Sequence, residues 1–116
     1  ARERLPRMVF DYIDGGADDE LTLSRSVSRF RDIELVWDAL ANVAEIDTTT
    51  TIMGAASASP FFIGPTATSR LFHPRAGELA VARAAYAAGV PYACSTLAST
   101  SVEDIAAVNP GVFHVL

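Results

Sequence analysis

Pro60-Phe61-Phe62-Ile63-Gly64, then Gly77 to Ala88 closed by Gly89, then Val90-Pro91-Tyr92-Ala93-Cys94 is the succession that decides the fold. Phe61 to Gly64 is a short continuous apolar run of the kind a strand buried on both faces shows. A polar turn from Pro65 to Ser69 follows it. The alanine-rich stretch 77–88 predicts a helix, with Gly89 as its C-terminal stop and Pro91 just beyond. Val90 to Cys94 repeats the buried-strand pattern and Ser95 to Ser101 the polar loop. Val102 to Val108 then predicts a short helix, and Gly111-Val112-Phe113-His114-Val115-Leu116 a third strand. Thr100 with Glu103, or Ser101 with Asp104, can form the capping box of that helix. Strand, loop and helix repeated in this order is the grammar of parallel βα units, and right-handed crossovers bring both polar loops to one side. In a barrel that side is the carboxyl end of the strands, where ligands bind.

Upstream of residue 60 the pattern is different. Pro6 suits a first helical turn, and Met8, Val9, Tyr12 and Ile13 recur at helical spacing until Gly15-Gly16. Asp18, Asp19 and Glu20 put negative charge at the start of a second helix, favourable against its dipole, with Leu23, Val27 and Phe30 as its apolar stripe. Residues 31–59 read as irregular structure with short extended pieces and a turn at Gly54. The formal charge of -5 comes from 14 acids and 9 bases, and all the bases are arginines scattered along the chain, which gives no support to nucleic-acid binding. One cysteine excludes an intramolecular disulfide, and no Cys/His metal set is visible. No apolar run reaches the roughly 18 residues of a membrane span, so the expectation is a soluble, cytoplasmic chain. With 50% hydrophobic residues and a mean hydropathy of +0.25, 116 residues read as part of a larger core.

One stretch near the amino end carries a resemblance. Phe10-Asp11-Tyr12-Ile13-Asp14-Gly15-Gly16-Ala17-Asp18-Asp19-Glu20 sets a tyrosine, a glycine pair and an acidic cluster behind Leu5-Pro6. Asp47-Thr48-Thr49-Thr50-Thr51-Ile52-Met53-Gly54, Pro65-Thr66-Ala67, Gly77-Glu78 and Cys94-Ser95-Thr96-Leu97-Ala98-Ser99 follow in order. In composition and spacing these segments resemble the FMN-dependent L-2-hydroxy acid oxidases and dehydrogenases, the group of glycolate oxidase, L-lactate dehydrogenase and mandelate dehydrogenase. The resemblance implies an α/β fold, the N-terminal portion of a (β/α)8 TIM barrel with a helical lead-in. Residues 1–59 would be the helical and irregular lead-in, and 60–116 the first βα units of an FMN-binding barrel. Such a barrel takes about 250 residues or more, so the chain is expected to be part of a longer protein and inactive alone.

The same resemblance implies residue roles. Pro65, Thr66 and Ala67 match the loop whose backbone approaches the flavin ring; the plain alternative is an ordinary proline turn. Ser95 matches a hydroxyl that hydrogen-bonds the flavin, with Thr96 assisting, and the alternative is a serine serving its own loop or the next helix. Tyr12 matches a tyrosine that holds the substrate carboxylate through a neutral donor, against the alternative of a core tyrosine with a satisfied hydroxyl. Thr68 and Leu97 line the substrate pocket, or are simple packing. Leu97 stands where some members carry tryptophan, and the run from Ser95 to Ser99 looks like the L-lactate-using flavocytochrome type, so a small 2-hydroxy acid is the expected substrate.

Glu78 reads as structural, a carboxylate suited to a helix start. His73 is not a base, and His114 reads as a core or strand-end histidine. No catalytic residue and no metal ligand falls within the chain. The family's base histidine, substrate-binding arginine, flavin-side lysine and phosphate-binding loops lie beyond residue 116. The expected reaction is oxidation of an L-2-hydroxy acid to the 2-keto acid, with oxygen, quinone or cytochrome left open as acceptor and a homo-tetramer expected by analogy. The chain departs from the family at Trp37-Asp38 for Pro-Arg, at Ser26 for asparagine, and near Val115 for glutamine, a role His114 takes if the alignment slips by one. These departures point to the competing reading, a non-catalytic relative acting in binding or assembly. Type 2 isopentenyl diphosphate isomerase, another FMN barrel, lacks the Phe10 to Glu20 signature.

Overall fold

A computed structural model describes residues 2–114. The chain forms two compact units, one up to Ala44 and one from Glu45 onward.

The first unit holds helix α1, Arg7–Asp14, helix α2, Leu21–Arg29, and a 3-10 turn at Phe30–Asp32. Pro6 caps α1 and accepts the Phe10 N–H at 3.0 Å, which leaves its own missing donor outside the helical ladder. The acids expected at the start of α2 stand immediately before Leu21. Glu20 is the cap residue, in a left-handed conformation, and its Oε1 turns back to accept the Gly16 N–H at 3.0 Å. The Glu20 carboxylate thus serves the glycine turn, and the first turn of α2 itself contains no acid. The stretch after Asp32 carries exposed apolar side chains, Leu35, Val36 and Trp37 among them.

The second unit opens with a hairpin of β1, Thr50–Ile52, and β2, Ala55–Ser57, paired antiparallel with Ile52 opposite Ala55. Met53 and Gly54 both take positive φ, as a two-residue primed turn requires. Asp47 braces the entry to β1 by accepting from the Thr49 hydroxyl at 2.7 Å and its N–H at 2.9 Å, and these bonds hold the carboxyl below its usual range. After the hairpin come a 3-10 turn at Ser69–Leu71, helix α3 at Gly77–Ala88, strand β3 at Ala93–Cys94, helix α4 at Val102–Val108 and strand β4 at Phe113–His114.

Three segments align in parallel. Ile63 bridges to Tyr92, with Ile63 N–H on Pro91 O and Ala93 N–H on Ile63 O, both at 2.9 Å. β3 pairs with β4, Ala93 opposite Phe113, and Phe113 N–H reaches Tyr92 O at 2.8 Å. The expected continuous strand at Phe61 to Gly64 shrinks to that single bridge, with Phe61 and Phe62 exposed. Among the described residues Ile63 has a neighbour on one side only, so nothing draws the flanking residues into a ladder. An apolar cleft of about 330 Å³ lies beside it, walled by Phe72, Ala80, Val81 and Tyr92.

The core explains why α3 is alanine-rich. Ala82 and Ala85 face Tyr92, Cys94 and Ile105, and their small side chains let the helix axis come close to the strands. Asn109 ends α4 inside this core, donating to Ala82 O and accepting the Gly111 N–H, each at 3.2 Å. Gly89 closes α3 at a φ of +64°, which an L side chain would strain. Its carbonyl accepts the Ala58 N–H at 2.8 Å, tying the hairpin to the entry end of the strands. Ser101 caps α4 by accepting the Asp104 N–H at 3.2 Å, so of the two capping candidates Ser101 is used. Replacing the fully buried Ile105 by alanine is expected to cost about 2–5 kcal/mol in a denaturant titration, with Ile105→Val within about 1.5 kcal/mol of the native protein.

Candidate functional site

Parallel pairing puts the carboxyl ends of neighbouring strands on one edge, and here the loops that leave that edge are joined directly. Thr68 N–H donates to Leu97 O at 3.0 Å. Thr68 adopts a left-handed φ of +50°, which turns the chain into the Ser69–Leu71 helical turn. Thr68 and Leu97, the two positions expected to line a substrate pocket, therefore meet through their main chains. The Leu97 side chain is 66% exposed and Thr68 half-buried.

Pro65, Thr66 and Ala67 form the first loop, Pro65 and Thr66 exposed and Ala67 half-buried. Among the described residues no hydrogen bond uses the N–H groups of Thr66 or Ala67, and nothing crowds the Gly64 Cα. On the second loop the half-buried Ser95 accepts the Leu97 N–H on Oγ at 3.1 Å, and its carbonyl accepts the Ala98 N–H at 3.0 Å. The serine thus makes the local turn of its plain reading while its hydroxyl proton stays available to a ligand. The face offers neutral donors with small side chains beside them, a set that fits the acceptor-rich edge of a flat ring. On this observation the residues fit a flavin.

The remaining expected residues sit elsewhere. Tyr12 belongs to the first unit, on α1, with its side chain 65% exposed, so it is not a core tyrosine of that unit. His73 Nδ1 accepts the Ala76 N–H at 3.2 Å in the turn before α3. His114 is exposed at the strand end, and Val115 lies outside the described residues.

Behind the two loops sits the helix-start acid whose position predicts a structural carboxylate. Glu78, in the first turn of α3, is fully buried. Its Oε1 accepts Ser69 N–H and Ser99 N–H at 2.9 Å each, and Thr100 Oγ1 donates to Oε2 at 2.8 Å. Ser99 Oγ lies 2.9 and 3.0 Å from the two carboxylate oxygens and accepts the Arg70 N–H at 3.1 Å. Gly77 makes room for this junction: a Cβ there would fall 2.6 Å from Arg70 Cγ. The sequence signals were an acid opening an otherwise apolar helix and the hydroxyl run Ser99-Thr100-Ser101.

Burial pushes the Glu78 carboxyl up, but the bonds from Ser99 and Thr100 outweigh it and hold the group at about 2. Burial likewise raises the Tyr92 hydroxyl to about 12 and lifts the Cys94 thiol, so both stay neutral. Cys94 is buried with its Sγ against Ser95 O, a packing residue rather than a nucleophile.

The family model described as FMN-dependent dehydrogenase matches residues 1–116. A putative L-lactate dehydrogenase of Mycobacterium tuberculosis is 44% identical over 110 residues, 95% of this chain and 26% of that protein. Glycolate oxidase of Spinacia oleracea is 43% identical over 112 residues, 97% of this chain and 30% of that protein. Among solved structures, a mandelate oxidase variant carrying an FMN adduct superposes with a TM-score of 0.89 at 40% identity, covering 98% of this chain and 34% of that one. A chimera of (S)-mandelate dehydrogenase gives 0.89 at 35% identity, covering 99% and 33%. The chain thus spans 26–30% of the length of these two curated relatives.

Because the folded carboxyl of Glu78 lies below its unfolded value of 4.5, its contribution to stability is complete above about pH 4.5 and is lost as pH falls toward about 2. The full contribution is on the order of 3 kcal/mol. Unfolding midpoints measured across that window should fall more steeply for the native protein than for Glu78→Gln; parallel curves would contradict the assignment.

Proposed function

The chain belongs to the FMN-dependent dehydrogenase family, and on that premise we propose that the protein carrying it oxidises a small L-2-hydroxy acid to the 2-keto acid with bound FMN. The proposed architecture is the opening of a (β/α)8 barrel. What supports it is the parallel order Ile63, β3, β4, together with the one-sided pairing of Ile63 beside an apolar cleft. The observation that carries the functional reading is the Thr68 to Leu97 hydrogen bond, which joins the two loops at the carboxyl end of the strands.

In this reading FMN, when bound, supplies the two-electron acceptor for the C2–H bond of the substrate. The chain's own contribution is orientation. The N–H groups of Thr66 and Ala67 and the Ser95 hydroxyl hold the ring edge, and Pro65 stiffens the loop that presents them. Thr68 and Leu97 border the substrate, and the exposed apolar Leu97 side chain excludes water from one side of it. By the family resemblance, Tyr12 is assigned as a neutral hydroxyl donor to the substrate carboxylate. Proton abstraction from the substrate hydroxyl and charge pairing with its carboxylate are assigned to the remainder of a longer protein.

Purified full-length protein should be yellow, and anaerobic addition of L-lactate, glycolate or L-mandelate should bleach the flavin band. A colourless protein that takes up no FMN would favour the non-catalytic relative instead. Tyr12→Phe should raise KM more than it lowers kcat, and an unchanged KM would remove Tyr12 from the substrate site. Ser95→Ala should weaken FMN binding by about 1 kcal/mol, measured by flavin fluorescence titration.

A further inference from the structure

Buried carboxylates usually face a cation, and among the described residues no arginine comes within salt-bridge distance of Glu78. Its charge is met by hydrogen-bond donors and by the positive end of α3. An apolar residue of similar volume is often as stabilising as a buried ion, so stability alone gives a weak reason for an acid here. The donors identify another. Ser69 directly follows Thr68 on the first loop, and Ser99 and Thr100 follow Leu97 on the second. One carboxylate therefore grips both loops just behind the positions that meet through Thr68 and Leu97.

We propose that Glu78 is a positioning residue for the cofactor site: its carboxylate sets the separation of the two loops and thereby the aim of the Thr66 and Ala67 N–H groups and the Ser95 hydroxyl. The proposal rests on the reading that these loops hold FMN. Reach is central to it. Oε1 bonds main-chain groups of both loops at 2.9 Å, so a side chain one methylene shorter withdraws the acceptor by about 1.5 Å. That is more than either hydrogen bond tolerates. Charge matters less than the oxygen. Glutamine keeps an acceptor for the Ser69 and Ser99 N–H groups, and its amide can donate to the Thr100 hydroxyl, which is free to rotate.

The test titrates full-length apoprotein with FMN, following quenching of flavin fluorescence, and records the apoprotein melting midpoint for each variant. Glu78→Ala and Glu78→Asp are expected to raise the Kd roughly 10-fold or more, and Glu78→Gln to stay within roughly 3-fold of wild type. Ile105→Ala, destabilised in the core without removing any Glu78 hydrogen bond, is expected to bind FMN with an unchanged Kd. Wild-type affinity in Glu78→Asp overturns the proposal, and so does an Ile105→Ala protein that loses as much affinity as the Glu78 variants. Should Glu78→Ala and Glu78→Asp fail to fold, Thr100→Val removes one donor at constant shape. A measurable rise in its Kd supports the clamp, and wild-type affinity overturns it. A wild-type protein that leaves the fluorescence unquenched overturns the FMN reading itself, and this proposal with it.

Discussion

A carboxylate without a cation, buried at the first turn of a helix, is the constraint around which the second unit is organised. Taking an ionised group out of water is costly unless donors replace the lost hydration. Glu78 gathers them from Ser69, Ser99 and Thr100, segments 9 to 22 residues away in sequence. That requirement fixes where both loops run. Glycine also suits position 77, where φ is +45° and a Cβ would come within 2.6 Å of Arg70 Cγ and 3.3 Å of Arg70 N in the turn that brings Ser69 to the carboxylate. A local helix-start preference has been turned into a long-range tie.

The other end of the βα unit is secured differently. Gly89 ends α3 in a conformation suited to glycine, and its carbonyl receives Ala58 from the hairpin. At the carboxyl edge the ties are charge-assisted and lie beneath loops whose outer groups stay open; at the entry edge they are main-chain bonds that close the structure. A binding face benefits from this division, because ligand-facing atoms are oriented from behind without being consumed by the orienting bonds. Thr66, Ala67 and Ser95 retain donors for that reason. Tyr92 and Cys94 add no charge beneath the loops, both kept neutral by burial.

The helices and their stops were legible because they depend on near neighbours. Alanine content, Gly89 and Pro91 marked α3, and the Ser101 to Asp104 spacing offered the cap that α4 uses. Phe61 and Phe62 were misleading for the complementary reason. A continuous apolar run reports what a strand would bury if flanked on both sides, and among the described residues Ile63 has a neighbour on one side only. Glu20 stands at the start of α2 as its position in the chain suggests, but its carboxylate bonds the Gly16 N–H, a contact that helix-dipole reasoning does not foresee.

By itself the sequence determined the family, the order of the βα units and the residue types at the loop tips, because periodicity, glycine and proline positions and motif order are properties of the chain read in one direction. Only the tertiary structure decided that Thr68 meets Leu97, that Ser95 turns on itself while keeping a proton to give, and that Glu78 joins the loops. Those facts depend on which distant donors arrive at one acceptor. Hydrogen bonding over 20 or so residues is set by how helices pack on strands, and no local pattern encodes it.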